Sequence, residues 1–393
     1  MNKKLIALAI AAAVSAPAMA ATSNVEVYGL MSVGVDSVTN GSGVAGNTST
    51  SSVGRVTDYA SRLGFKGTED LGNGLSAVWQ IESALAVDGG SSTNAASGGI
   101  GGSTGALGGG TLRNTFVGLS SKDAGTGLLG KIDTPYKTAT GRLDQFADTL
   151  GDYNSLMGAA SQSGAYSGYN SAGNYFDLRP ANVVAYASPN FSGFSAVGAY
   201  VFGAESATTG TSNKGNAYSL AAMYDAGPLY LTAAYEKHNL GDAGSGSLAA
   251  ANLDRKAWKL GASYSIMDFT LAAIYEKTDD NMGTGGVNLY GHRTWFLSGK
   301  YKMGATSLIA QYANAGSDDE LHSGATGNTG AKAYTVGATY DFSKRTKVYA
   351  LYTKINNDTY ALYNYGAGGS SPAAGAVAGD SLGGFSLQMK HSF

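Results

Sequence analysis

The stretch Trp258-Lys259-Leu260-Gly261-Ala262-Ser263-Tyr264 decides the fold, together with the turn Ile266-Met267-Asp268 and the run Phe269-Thr270-Leu271-Ala272-Ala273-Ile274-Tyr275 that follows. Its side chains alternate with period two, which marks strands with one apolar and one polar face. The same pairing recurs along the chain. Tyr218-x-Leu220-x-Ala222-x-Tyr224 precedes Leu231-x-Ala233-x-Tyr235, Trp295-x-Leu297-x-Gly299-x-Tyr301 precedes Leu308-x-Ala310-x-Tyr312, and Tyr334-x-Val336-x-Ala338-x-Tyr340 precedes Val348-x-Ala350-x-Tyr352. Aromatics six residues apart are separated by roughly 20 Å along a strand, close to the height of a bilayer's apolar band. Tyr224, Tyr235, Trp258, Tyr264, Tyr275, Trp295, Tyr301, Tyr312, Tyr340 and Tyr352 are therefore read as members of two aromatic girdles. The opposite face carries Thr232, Glu236, Arg255, Lys259, Glu276, Lys300, Gln311 and Thr339, and is expected to be wet. A soluble β-sandwich has no reason to place Tyr and Trp in register at both ends of strand after strand.

Outward from this stretch, strand patterns fall at Ser23 to Val38, Arg62 to Gly67, Leu75 to Glu82, Arg113 to Ser120 and a fifth run ending near Asp133. Eleven more are expected near 181–188, 194–203, 216–225, 229–238, 255–265, 269–277, 292–302, 306–314, 332–341, 346–355 and 383–393, which makes sixteen. Short connections such as Pro189 to Gly193, Asp225 to Pro228 and Met303-Gly304 alternate with long ones around 204–215, 239–254, 278–291, 315–331 and 356–382. Short turns at one end and long loops at the other predict an all-β fold, a sixteen-stranded antiparallel transmembrane β-barrel. The first five strands carry valine, glycine, leucine and phenylalanine outward with almost no Tyr or Trp, so this sector is expected to face another subunit rather than lipid.

Composition agrees. Lys3 and Lys4, an apolar run from Leu5 to Val14, Pro17 and Ala18-Met19-Ala20 predict a signal peptide over 1–20 and a barrel over 21–393. Removing those two lysines from the 26 Lys+Arg leaves 24 basic against 28 acidic residues, a net charge of about −4. That balance speaks against nucleic acid as a partner, which needs a concentrated basic excess. The absence of cysteine excludes disulfides and thiolate chemistry. With 58 Gly and 25 Tyr but only 14% charged residues, the chain has an unusual make-up for a soluble enzyme.

The residues that follow carry a family resemblance: Val25-Glu26-Val27-Tyr28-Gly29, Ser61-Arg62-Leu63-Gly64-Phe65-Lys66-Gly67-Thr68-Glu69-Asp70-Leu71-Gly72-Asn73-Gly74-Leu75, Phe116-Val117-Gly118-Leu119, Tyr186-Ala187-Ser188-Pro189-Asn190-Phe191-Ser192-Gly193-Phe194 and the terminal Phe393. In these the chain resembles the general porins of Gram-negative bacteria, and most the trimeric porins of β-proteobacteria. The resemblance implies an outer-membrane homotrimer in contact with lipid and lipopolysaccharide, passing ions and small hydrophilic solutes without a cofactor or metal. It implies a third long loop, here 134–178, folded into the pore. By position, the basic wall of the constriction is Arg62, Arg113 and Arg179, joined by Lys66 and Lys131, with Glu82 beside them. Lys131 stands where arginine is more frequent, and His391 where an aromatic is usual, although Phe385, Leu387, Met389 and Phe393 keep the assembly signature of the last strand.

Within the long segment, Leu143, Phe146, Ala147 and Leu150 have helical spacing, with Thr140 as a cap and Gly151 as a stop. Asp144 and Asp148 then share another face, and are expected to point into the pore opposite the three arginines. Opposed acidic and basic rows would set up a transverse field in a narrow channel.

The competing readings are an outer-membrane adhesin or structural barrel, and a hydrolase. Gly101-Gly102-Ser103-Thr104-Gly105 matches a nucleophile-elbow pattern but lies in a Gly/Ser tract without the strand and helix it needs. His238, His292, His322 and His391 have no metal-site spacing. Asp279-Asp280-Asn281 and Asp318-Asp319-Glu320 are read as solvated loop charges, with a divalent-cation bridge to lipopolysaccharide as the alternative.

Overall fold

A computed structural model describes residues 23–39, 52–88, 112–158, 176–202, 216–241, 253–281, 286, 288, 291–317, 328–365 and 376–393. The expected leader, the Gly101 to Gly105 motif, the Gly/Ser/Tyr run 159–175, Asp318-Asp319-Glu320 and His322 lie outside the described residues.

The strands are β1 (Ser23–Thr39), β2 (Ser52–Asp58), β3 (Arg62–Gly72), β4 (Leu75–Ala84), β5 (Thr115–Ser121), β6 (Gly125–Lys131), β7 (Val183–Ala187), β8 (Phe194–Val201), β9 (Asn216–Ala226), β10 (Leu229–Gly241), β11 (Leu253–Ile266), β12 (Phe269–Asp280), β13 (Arg293–Met303), β14 (Thr306–Ala315), β15 (Ala331–Asp341), β16 (Thr346–Asn357) and β17 (Ser381–Ser392). From β3 onward each pairs antiparallel with the next, and β17 returns to β1, with Leu30 opposite Ser392 and Val38 opposite Gly384. Both β2 and β3 pair with β1, one with its second half and one with its first, so the seventeen strands form a closed barrel of sixteen lanes.

The sixteen-stranded barrel is thus the observed fold, with one difference in its second lane. Ser52–Asp58 was hidden in a Gly/Ser/Thr stretch, whose β propensity is low; it becomes a strand because β1 is long enough to pair with it. The lane breaks at Tyr59-Ala60-Ser61, where Ala60 takes the left-handed region at φ 57°. The break turns Tyr59 inward, where its buried hydroxyl donates to Asp36 at 2.7 Å.

Register places the alternation as read. On β10, Leu231 is exposed while Thr232, Ala234 and Glu236 are buried. Aromatic rings meet across neighbouring strands in two rows. One row has Tyr218 beside Tyr235, Trp258 beside Tyr275, Tyr275 beside Trp295 at 4.4 Å between centroids, and Tyr312 beside Tyr334. The other has Phe194 beside Tyr224 and Phe269 stacked on Tyr301 at 4.4 Å. At the seam, the Phe393 and Gly29 backbones exchange two hydrogen bonds of 3.1 Å. The Phe393 ring occupies the space a Cβ on Gly29 would need, with its Cζ only 2.3 Å from that position. His391 lies beside Thr346 on the outer face, its Nδ1 2.8 Å from the hydroxyl.

No described helix is long and apolar enough to cross a membrane; the crossing elements are strands.

Candidate functional site

The segment after β6 begins with a helix, α1 (Pro135–Gly141), which ends where the apolar spacing predicts a helix to begin. Thr134 caps it by accepting from the Lys137 amide, and Pro135 has its φ preset for the first helical turn. The expected helix over Leu143 to Leu150 is instead a series of turns ending in a short 3-10 helix at Tyr153–Ser155. Two carboxylates outcompete helical hydrogen bonding there. Asp144 accepts from the amides of Phe146 and Tyr153, both at 2.9 Å, and Asp152 accepts from those of Asp148 and Asn154, both at 2.9 Å.

The apolar stripe nevertheless does what its spacing implied. Leu143, Phe146 and Leu150 are buried in one cluster with Ile274, Phe296, Ile309, Tyr349 and Leu351, all on the inner faces of β12 to β16. Each such side chain contributes roughly 1.5–3 kcal/mol. The wall also holds the segment's backbone: Ser298 donates to Leu143 O at 3.3 Å, Tyr230 to Ala139 O at 2.6 Å, Gln311 to Gly151 O at 2.5 Å and Gln388 to Asp148 O at 2.9 Å.

Both ends of the segment are fixed by charges that the alternation had placed on a wet face. Lys259 and Glu276 are fully buried beneath it. The Lys259 ammonium is 2.5 Å from Asp177 and 4.0 Å from the centroid of the Tyr136 ring. Glu276 accepts from the Tyr136 hydroxyl at 2.7 Å and from the Gly158 amide at 2.8 Å. The polar face of β10 to β12 is therefore partly a docking surface for the segment.

Asp144 and Asp148 part company. Asp144 is buried inside the turns, and burial together with the neighbouring Asp152 charge pushes its carboxyl well above the ordinary range. It does not face the arginines, because holding two backbone amides requires it to point into its own loop. Asp148 does face them. Its left-handed backbone, at φ 55°, turns the carboxylate out to within 3.5 Å of Arg62 and 3.7 Å of Lys390. Arg62 and Lys390 come from β3 and β17, the strands on either side of β1.

Glu82 on β4 organises the rest. It lies 3.8 Å from Arg62 and 2.7 Å from Arg113, and accepts from the Tyr28 hydroxyl at 3.0 Å. Arg179 forms a neighbouring group, 3.0 Å from Asp133 and 3.2 Å from the Asn114 amide oxygen. Burial opposes ionisation of Asp133, yet Lys137 and Arg179 hold its carboxyl down at about 2.

Lys66 falls outside this group. Lys66 is four residues nearer the short-turn end than Arg62, roughly 13 Å along the strand, and pairs with Glu26 at 3.1 Å. Lys131, at the end of β6 and in register with Thr115, lies near enough to Arg179 to feel its charge and makes no ion pair among the described residues. Sequence reasoning missed Lys390, although its alternation with Phe385, Leu387 and Met389 marks it as inward-facing.

A closed barrel with an apolar outside, a polar inside and a charged gap between an inner segment and the wall defines a transmembrane channel. Residues 7–360 match the family model for Gram-negative porins, and the chain belongs to that family. Outer membrane porin protein 32 of Delftia acidovorans is 28% identical over 395 residues, with 100% of both chains covered. Major outer membrane protein P.IB of Neisseria gonorrhoeae is 32% identical over 198 residues, covering 50% of this chain and 47% of that one. Among solved structures, an anion-selective porin from Comamonas acidovorans matches with a TM-score of 0.72 at 24% identity, covering 94% of this chain and 100% of that one. The trimer form of OmpT, an outer membrane protein of Vibrio cholerae, matches with a TM-score of 0.64 at 17% identity over 94% and 99% of the two chains. The protein is an outer-membrane channel and not an enzyme.

Proposed function

We propose that the barrel is a homotrimeric general-diffusion porin whose constriction is formed by residues 134–178, with Arg62, Arg113, Arg179 and Lys390 on its basic side and Asp148 and Glu82 on its acidic side. The observation that carries this is the approach of Asp148, from the inner segment, to Arg62 and Lys390 on the wall. Glu82 offsets Arg113 and Asp133 offsets Arg179, so one carboxylate, Asp148, faces two cations across the gap. That local surplus favours mild anion preference despite the negative charge of the whole chain, because low-dielectric walls make the nearest charges dominate.

The trimer is supported by the outward apolar surface of β1 to β6, where Val25, Val35, Val117 and Leu129 are more than half exposed and no ring pairs of the two rows occur among the described residues. Lipid, with lipopolysaccharide in the outer leaflet, surrounds the remaining strands. Planar-bilayer recording with purified protein tests the reading. Stepwise conductance with a reversal potential of anion sign is expected; an absence of channels overturns the porin, and a cation sign overturns the charge assignment.

A further inference from the structure

Beneath the inner segment, Lys259, Asp177 and Glu276 form a group whose chemistry the channel does not use. Lys259 on β11 and Glu276 on β12 stand directly opposite each other in register, both buried on the inner face. Side chains opposed in this way start about 5 Å apart. Asp177 arrives from the end of the inner segment, 82 positions away from Lys259 along the chain. The Lys259 and Asp177 side chains are both 0% exposed, with Nζ 2.5 Å from Oδ1. Glu276 is also 0% exposed, and lies within electrostatic reach of both.

Each member of the group is held in place. Lys259 Nζ sits over the Tyr136 ring at 4.0 Å from its centroid, which restricts where the nitrogen can point. Asp177 has a left-handed backbone, at φ 60°. Its two carboxylate oxygens have different surroundings: Oδ1 meets the lysine, whereas Oδ2 accepts from the Asn154 side-chain amide at 2.8 Å and the Tyr153 hydroxyl at 3.4 Å. Glu276 is oriented by the Tyr136 hydroxyl and the Gly158 amide. A nitrogen nucleophile against a carboxyl carbon, neutral donors on the second oxygen, a further carboxylate close by and no water are the requirements for making an amide.

We infer that Lys259 and Asp177 become joined by an isopeptide bond, Nζ to Cγ, once the barrel has folded, with Glu276 as the proton relay. The step is a condensation. A proton passes from the ammonium to Asp177 Oδ1 along their hydrogen bond, leaving an amine beside a carboxylic acid; without solvent, that neutral pair replaces two buried charges. The amine's lone pair adds to Cγ, and the C=O electron pair moves onto Oδ2, where Asn154 and Tyr153 donate to the developing negative charge. Glu276 takes one proton from Nζ and delivers it to the Oδ1 hydroxyl. The Cγ–Oδ1 bond breaks, the carbonyl re-forms and water leaves. Of the three ammonium hydrogens one stays on the amide nitrogen and two depart in the water, and Glu276 ends as it began. Fixed orientation supplies an effective concentration of roughly 10⁵ M or more, which a free amine and carboxylate lack. The bond ties the far end of the inner segment to β11, so the constriction cannot leave the wall while the barrel stands. It depends on where that segment rests and not on what the pore passes.

The test weighs the wild-type chain, purified from outer membranes and fully denatured. It is expected to weigh one water molecule less than its sequence, and digestion is expected to release the fragment containing Asp177 joined to the one containing Lys259. Chain recovered from inclusion bodies in urea is expected to have full mass, and to lose the water on refolding into detergent. Lys259→Arg and Asp177→Ala are expected to keep full mass. Glu276→Gln is expected to slow the loss of water roughly a hundredfold in barrels that refold, the usual worth of a positioned acid–base group. Folded wild-type protein at full mass overturns the bond even if every variant fails to fold. Loss of water without a joined fragment, or in Lys259→Arg, marks a cyclised aspartate and overturns it as well. A refolded Glu276→Gln barrel that links at the wild-type rate overturns the relay. Bilayer conductance of the same samples is read separately: channels from full-mass wild type refute the bond alone, whereas linked protein without channels refutes the porin.

Discussion

Asp148 Oδ2 lies 3.5 Å from Arg62 Nη1, across the gap between the inner segment and the strand beside the barrel's seam. Lys390 approaches the same oxygen from the other side of β1 at 3.7 Å, and Gln388 binds both the Asp148 carbonyl and the Ser32 hydroxyl. The inner segment is thus tied down where the first and last strands close the barrel, so closure and constriction depend on one set of side chains.

Asp148→Asn removes the carboxylate that faces Lys390 and leaves Arg62 with Glu82 alone. A unit charge 5 Å from a permeating ion in water is worth about 0.8 kcal/mol, roughly fourfold in permeability ratio. The reversal potential in a salt gradient is expected to move toward anions by that order. Neutralising Arg62, Arg113 and Arg179 together is expected to move it toward cations. No movement in either variant would contradict the assignment.

Lys259→Met strands Asp177 as a buried unpaired charge, at a cost of about 3–5 kcal/mol. Urea unfolding of detergent-solubilised protein, followed by tryptophan fluorescence, is expected to shift to lower urea, and single-channel current to become noisier as the segment loosens. Adding Asp177→Asn is expected to recover part of the loss. A double variant as unstable as the single one would mean that the pair is not what holds the segment.

The inner segment and the residue just before it carry groups with opposite pH signatures. Free aspartate titrates near 3.9. Asp144 is pushed well above that by burial and by Asp152, and burial pushes Asp152 up to about 6. The folded segment therefore retains protons the unfolded chain releases, and stability declines as pH rises from about 4 through 6. Asp133, held at about 2, contributes stability above about 4 that is lost as pH falls toward 2. Hydrogen-exchange protection of residues 144–154, corrected for intrinsic rates, is expected to peak near pH 4 to 5. Asp152→Asn is expected to flatten the limb above that; an unaltered profile would refute the role given to Asp152.

Trp258 and Trp295 lie exposed on the outer face, whereas Trp79 packs over Gly67 in the sector proposed to meet other subunits. In single-tryptophan variants reconstituted with brominated lipid, strong quenching is expected for Trp258 and Trp295 and little for Trp79. Equal quenching of all three would speak against that interface.

The strand alternation, the two aromatic rows and the sixteen lanes were legible because they depend on a two-residue period and on register between sequence neighbours. The burial of Leu143, Phe146 and Leu150 was legible for the same local reason. Asp144 was misplaced because an aspartate followed by free amides can either line a helix face or cap a turn, and only the packing of Tyr153 against Phe296 selects the turn. Lys259 and Glu276 showed that they face away from lipid, but not whether water or protein lies there. That was decided by Asp177 and Gly158 arriving from far along the chain.

The sequence by itself determined which face of each strand meets lipid, since every second residue is committed by its own chemistry. The tertiary structure alone decided which inward charges line the gap and which are buried as anchors. That depends on where the segment after β6 comes to rest, and its resting place is set by contacts between residues more than a hundred positions apart.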